Sequence, residues 1–345
     1  MSAAAPARGR ALLAWRPPSA AVAILFAALI GGVLVFASGA DPFDAYAQIA
    51  IGALAFDNWP NMLNWATPLV GMTLAAAIPL RGGMINLGGD GQLIIGALAG
   101  AVVPLYLPGP GPLVAVAVLA AAAIAAGLYA ALAAWGETRH GIPMLVSSLL
   151  LSYPAVGVAS YVVRFPLRDT TTGLPQTAFV PEAARLMTIS GVLNVGLLLI
   201  AAIAAIVVFV DRRTVAGYEL RMRGANIRFA GYGGVRLEAQ ALRVMFASGA
   251  IAGLVGAIIV LGSQYRFIDD ALLTPSYTWS GLMAALLANG EPAGAILAGL
   301  FFAALQTGGF AMQRETSVPR VLTLVLQAIV ILFLAIRHGV GRRAT

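Results

Sequence analysis

Apolar stretches about the length of a membrane crossing follow one another along nearly the whole chain, separated by short polar or arginine-bearing segments. A helix needs about 20 apolar residues to span a bilayer. The alternation predicts ten such helices, at 19–38, 61–80, 87–106, 112–134, 142–163, 189–209, 240–262, 272–288, 293–312 and 319–336. The expected fold class is all-α and polytopic. A transmembrane region, 19–336, lies between tails 1–18 and 337–345. Trp15, Tyr106, Trp135 and Tyr161 fall near the expected ends, where aromatic side chains favour the membrane–water boundary.

One polar island interrupts this pattern. It reads Arg81-Gly-Gly-Met-Ile-Asn86-Leu-Gly-Gly-Asp90-Gly-Gln92, between the mostly apolar 69–80 and the apolar run 93–103. Its glycines weaken regular helix, and its polar groups lie at or near membrane depth. Non-helical backbone is tolerated there only when it is buried in protein or lines a wet cavity. An ionisable group there costs about 2.5–3.5 kcal/mol on insertion scales. The island therefore predicts a permeation path, with Asn86, Asp90 and Gln92 as candidate lining residues.

Asp90 admits two readings. It contacts what passes, or it caps the helix that starts near Gly91. Asn86 and Gln92 can also bond across helices. The fifth expected span adds Ser148 and Ser152, four apart on one face, with Tyr153 beside them. Lining a pore and close helix packing both suit small hydroxyl residues. In the eighth, Ser276-Tyr-Thr-Trp-Ser-Gly281 includes Trp279, suited to stacking on an aromatic solute or to anchoring at the interface.

Composition supports the membrane class: 60% hydrophobic residues and 10% charged, with mean hydropathy +0.89. A soluble domain carries about 25% charge. There is no cysteine, which removes disulfide and thiol chemistry. All 21 basic residues are arginine, so the phosphate-binding loop that requires lysine is absent, and an ATPase would have to be another polypeptide. Arg8, Arg10 and Arg16 precede the apolar run 20–37. That run is longer than the apolar core of a typical signal peptide and predicts a retained first span.

Placing the N-terminus inside puts fifteen arginines on the inner side and six, Arg164, Arg168, Arg185, Arg266, Arg314 and Arg320, outside. The positive-inside bias selects this orientation, with both termini cytoplasmic. The net charge of +7 follows from that topology and implies no nucleic-acid partner. Spans two to five and seven to ten would then form an inverted repeat.

Three connections are long. Residues 39–60 contain a stretch, 45–54, that predicts a short interfacial helix. Residues 164–188 are polar and proline-bearing. The inner segment 210–240 contains Arg221, Arg223, Gly224, Asn226, Arg228, Ala230, Tyr232 and Gly234. Its glycine-bounded apolar element predicts a docking helix starting near Asn226, with Phe229, Ala230 and Tyr232 toward a partner; a basic loop obeying the topology rule is the plainer reading. No catalytic or metal-binding constellation stands out: His140 and His338 are the only histidines.

The island from Gly83 to Gly96 resembles the signature of ABC-importer permeases for branched-chain amino acids, ribose and nucleosides. The segment 224–234 is similar to that family's coupling segment, and 308–314, 318–319, 165–169 and 174–177 resemble the nucleoside/simple-sugar subgroup in particular. Asp90 stands where that subgroup commonly has Glu, and Ser152 where Asn is common.

The resemblance implies a permease of an inner-membrane importer that moves a small polar solute, most consistently a nucleoside, by alternating access. A simple-sugar permease is the alternative, and an ion-coupled secondary transporter a more distant one. The implied partners are an ABC ATP-binding subunit holding ATP and Mg, a second permease subunit, a periplasmic or lipid-anchored solute-binding protein and the lipid bilayer. No cofactor is expected on this chain, which is not itself the enzyme. The segment 224–234 would couple to the ATPase.

Overall fold

The computed structural model describes residues 19–316 and, beyond them, 318, 319, 321, 322, 324, 325, 328 and 329. The chain forms α1 (Ser19–Ala37), α2 (Pro42–Leu54), α3 (Trp59–Arg81), α4 (Gly89–Tyr106), α5 (Gly111–His140) and α6 (Met144–Arg164). A small hairpin, β1 (Thr188–Ser190) and β2 (Leu193–Asn194), precedes α7 (Gly196–Arg213), α8 (Val215–Ala225) and α9 (Ile227–Tyr232). Then come α10 (Leu237–Ile259), α11 (Tyr277–Leu287) and α12 (Pro292–Thr316).

Six described helical segments are long and apolar enough to cross a membrane, or seven if the bent pair α1–α2 counts as one crossing. Two expected spans differ from the helices found. The sixth, 189–209, gives way to the hairpin and to an α7 that starts at Gly196 and carries Asp211, Arg212 and Arg213 in its last turn. The eighth, 272–288, is reduced to the 11 residues of α11, about 16 Å of helix and half a crossing. Of the tenth, 319–336, only 319, 321, 322, 324, 325, 328 and 329 are among the described residues.

The segment expected to form a short interfacial helix, 45–54, is helical and forms most of α2. Asp41 caps it by accepting from the Phe43 amide at 2.8 Å, and Pro42 occupies the first turn. The helix folds back on α1 at 120° and packs on α12. Gly308 permits that approach, because a side chain there would run into the Ile49 backbone.

The core forms around α10. The window that qualifies it as a span is 78% buried within the protein, against 28% for α6, so α10 is central and α6 peripheral. Lipid tails are as apolar as these side chains, so packing rather than exclusion from water must hold the helices together, and small residues let backbones approach. Gly249 and Gly253, four apart, seat on the Ala126 and Ala122 carbonyls of α5. Gly96 of α4 meets the backbone of Gly253, and Gly256 meets the Leu93 carbonyl.

At the C-terminal end of α10 the connections 165–187 and 265–276 join. Thr177 N donates to Phe267 O at 3.0 Å, and Phe267 N to Thr177 Oγ1 at 3.0 Å. Asp269, one of the sequence's adjacent carboxylates, is paired with Arg164 at 2.7 Å.

Gly253→Ala therefore forces α10 off α5, and overpacking of this kind costs about 1–3 kcal/mol. Gly157→Ala in α6, with open space around it, gains up to about 1 kcal/mol of helix propensity. Thermal unfolding of the detergent-purified variants should separate them in that order. Equal midpoints would refute the packing account.

Candidate functional site

The break between α3 and α4 is built from local signals. Proline at 79 and glycines at 82 and 83 end α3. Gly83 takes a left-handed backbone (φ +73°), and the Met84 amide closes back on the Pro79 carbonyl at 2.9 Å. Residues 84–88 are then non-helical until α4 begins at Gly89.

Side chains of the break itself and of α6 satisfy this unpaired backbone. Asn86 Oδ1 accepts from the Gly88 amide at 2.8 Å and from Gln92 Nε2 at 3.1 Å. Its Nδ2 donates to Gln92 Oε1 and to Ser248 Oγ, both at 2.9 Å. Ser248 in turn donates to the Ala75 carbonyl of α3 at 2.6 Å. Ser148 Oγ of α6 accepts from the Leu87 amide at 3.0 Å, and Ser152 Oγ from the Gly91 amide at 3.4 Å. Asn86, Gln92, Ser148 and Ser152, all candidates on sequence grounds, thus meet in one buried network. Ser248 completes it; nothing in the pattern of α10 marks that residue beyond a polar position in an apolar run.

Asp90 does not cap α4. Gly88 occupies the N-cap position, and Asp90 is the second helical residue without a side-chain capping bond. Its carboxylate, only partly buried, faces Thr278 and Trp279 at the start of α11. The two helix starts are in contact, since a side chain at Gly89 would come within 2.5 Å of Thr278 Cγ2. Trp279 is 46% exposed, the Thr278 hydroxyl lies against the Asp90 carboxylate, and the Ser280 hydroxyl is buried with no hydrogen-bond partner. Ser276, just before α11, has a left-handed backbone (φ +56°), a strained conformation for a non-glycine residue. Tyr153 is 69% exposed on the outer face of α6.

At the other end, the expected docking helix is α9. Asn226 caps it, accepting from the Phe229 amide at 3.0 Å. The Val235 amide returns to the Ala230 carbonyl at 3.1 Å, with Gly234 left-handed (φ +88°). Ile227, Phe229 and Tyr232 present an exposed apolar face, and Arg228 is exposed with them. Ala230 is not part of that face: it is fully buried and seats the helix.

Arg223 is likewise buried, donating to the Leu237 carbonyl at 2.7 Å. Burial lowers its pKa, and the nearby Glu137 charge partly offsets this. Arg221 and Arg81 both pair with buried Asp211, at 3.4 and 3.1 Å. Gly224 lies within α8 without a positive φ. It is small because a side chain there would collide with the Arg81 carbonyl. The α8–α9 segment therefore rests directly on the turn that opens the α3–α4 break.

Comparison with known proteins identifies this architecture. A family model described as branched-chain amino acid transport system / permease component matches residues 58–335. The chain is 33% identical over 339 residues to the glucose ABC transporter permease protein TsgB13 of Haloferax volcanii, covering 94% of this chain and 89% of that protein. It is 26% identical over 328 residues to the guanosine ABC transporter permease protein NupP of Bacillus subtilis, covering 92% and 93%. With the nucleoside ABC transporter permease protein NupB of Lactococcus lactis subsp. cremoris it shares 24% over 330 residues, covering 92% and 90%. The polar break and its glycine-bounded neighbour thus belong to a multi-pass membrane protein of the branched-chain amino acid transport system permease family.

Proposed function

We propose that this chain is the membrane-spanning subunit of an ATP-driven importer for a small hydroxylated solute, a nucleoside in the first instance. The observation that carries the reading is the partly exposed Asp90 carboxylate at the α4–α11 junction, facing Thr278 and Trp279. A carboxylate accepts hydrogen bonds from solute hydroxyls, and an indole face offers stacking to a base or to the apolar face of a sugar. A monosaccharide is the second reading, favoured by the 33% identity to a glucose permease.

In this scheme the ATP and Mg reside on a separate ATPase subunit, which engages the Ile227–Phe229–Tyr232 face of α9. A second permease chain completes the path, and a solute-binding protein delivers to the side carrying 166–187. The complex sits in the inner membrane with both termini cytoplasmic. It has ten crossings in all, counting α7, α11 and 319–336, with spans two to five and seven to ten as an inverted repeat. Supporting that repeat, α4 and α11 each follow an irregular segment, and their starts meet.

Single-cysteine labelling of this cysteine-free chain tests the orientation. Position 172 should react with an impermeant reagent in intact cells, and position 225 only after permeabilisation; the opposite pattern sinks the topology.

Phe229→Ala with Tyr232→Ala, or Arg228→Glu alone, should release the ATPase during purification while the permease still accumulates in the membrane. Unchanged co-purification and transport-coupled ATP hydrolysis would end the docking assignment.

Uptake of labelled nucleoside and labelled glucose, in cells with the complete importer, identifies the solute. Asp90→Asn at matched membrane abundance should lower uptake about tenfold or more, since a hydrogen bond to a charged group contributes about 1.5–3 kcal/mol. Asp90→Ala should lower uptake at least as much and cost no more than about 1 kcal/mol of stability, the scale of a helix-dipole interaction. Near-normal uptake by Asp90→Asn would remove Asp90 from the path.

A further inference from the structure

Helix α7 stands off from α10, and a cavity of about 470 Å³ lies between them, bounded also by α3 and α8. Its deep part is wholly apolar: Ile203, Ile206 and Val207 on one wall, Ala247, Ala250 and Ile251 on the other. Its shallow part is polar, with Gln240, Arg243, Asp211, Glu219 and Arg81. Both walls change from polar to apolar in the same direction. From Gln240 to Ile251 the cavity follows α10 for about 16 Å. That is close to half of a hydrocarbon core of about 30 Å, the depth of one leaflet.

The polar end lacks partners. Gln240 is 8% exposed, and neither its Oε1 nor its Nε2 is hydrogen-bonded. Arg243, exposed at the rim, forms no ion pair among the described residues. Arg81 and Arg221 are engaged by Asp211. Of the charged lining residues, Arg81 is held by Asp211, whereas Arg243 and Glu219 form no ion pair among the described residues, which leaves Arg243 as the cation at the mouth without a carboxylate bound to it.

We propose that this cavity is a phospholipid site. One acyl chain of a glycerophospholipid, from the leaflet on the α8–α9 side, lies between α7 and α10, and its phosphate is held by Arg243 and Gln240 Nε2. A tail that moves from bilayer to cavity exchanges one apolar medium for another. The apolar walls therefore supply fit, and the arginine and the unpaired amide supply preference for this lipid position. The proposal rests on the membrane-embedded architecture and is independent of the solute carried.

The test uses the purified importer complex in lipid nanodiscs containing phosphatidylglycerol or phosphatidylethanolamine with a diazirine on the tail. Crosslinks should concentrate on peptides covering 203–210 and 247–251, over a background on the exposed α6 residues Leu150 and Val158. Ala247→Trp, which fills the cavity, should abolish the first set and spare the second. Arg243→Gln, at the exposed rim, should weaken cavity labelling by about tenfold for both lipids, the scale of one charge-assisted bond to phosphate. Cavity labelling that survives Arg243→Gln, or that never exceeds the α6 background in the unaltered protein, overturns the proposal. Arg243→Gln decides the matter if Ala247→Trp does not accumulate.

Discussion

Backbone amides that leave a helix inside a membrane have no water to turn to, and the rest of this structure is arranged around that constraint. The α3–α4 break strips helical partners from the amides of Leu87, Gly88 and Gly91. Ser148, Asn86 and Ser152 replace them. Asn86 then needs partners of its own, and it finds them in Gln92 and Ser248. An unsatisfied polar group in an apolar medium costs several kcal/mol, so removing one member leaves another orphaned. The network fixes α3, α4, α6 and α10 relative to one another, and the glycine contacts of α10 fit around that arrangement.

The same break is where α8 meets α3 and α7. Gly224 of α8 rests on the Arg81 carbonyl, and its Cα lies close to Gly83, the left-handed residue that turns the chain into the break. The Arg81–Asp211–Arg221 cluster binds α3, α7 and α8 at that point, and Arg212 reaches Glu291 before α12 at 3.0 Å. Eight residues separate Arg81 from Asp90 in sequence. Helix α8 thus touches the turn that leads into α4 through backbone contact and a partly buried ion cluster.

Much of this was legible in the residues. The polar island, the serine pair at i and i+4 and the Asn226 helix each left a local signature, because caps, glycine stops and polar groups at membrane depth are local matters. What the sequence concealed depends on tertiary partners. Ala230 and Phe229 look alike as apolar residues of a short helix; only packing buries one and exposes the other. Arg223 reads as one more inner arginine until the Leu237 carbonyl takes it up. The run 272–288 is apolar enough for a span, but Ser276 and the turn before it delay the helix to Tyr277. A capping aspartate and an aspartate at the second helical position differ by two residues, finer than hydropathy can place a boundary. Ser248 and Gln240 sit in the same apolar helix with no pattern to distinguish a network member from an unpartnered amide.

Satisfied and unsatisfied polar groups divide the molecule into frame and working parts. Asn86, Gln92, Ser148, Ser152 and Ser248 are committed to one another, and a group so committed has little left to offer a passing solute. Asp90 is different. It stands among these residues in sequence, but its carboxylate faces out of the network toward Thr278 and Trp279 of α11, beside which the Ser280 hydroxyl is buried without a partner. Keeping uncommitted polar groups at this depth costs stability, and packing alone could have been served by alanine or valine. That cost falls at the junction between two helix starts, one of them on a half-length helix with a strained residue before it, which is why the proposed solute site is placed there. The buried network holds the α4 side of that junction in place while the Asp90 carboxylate turns to α11.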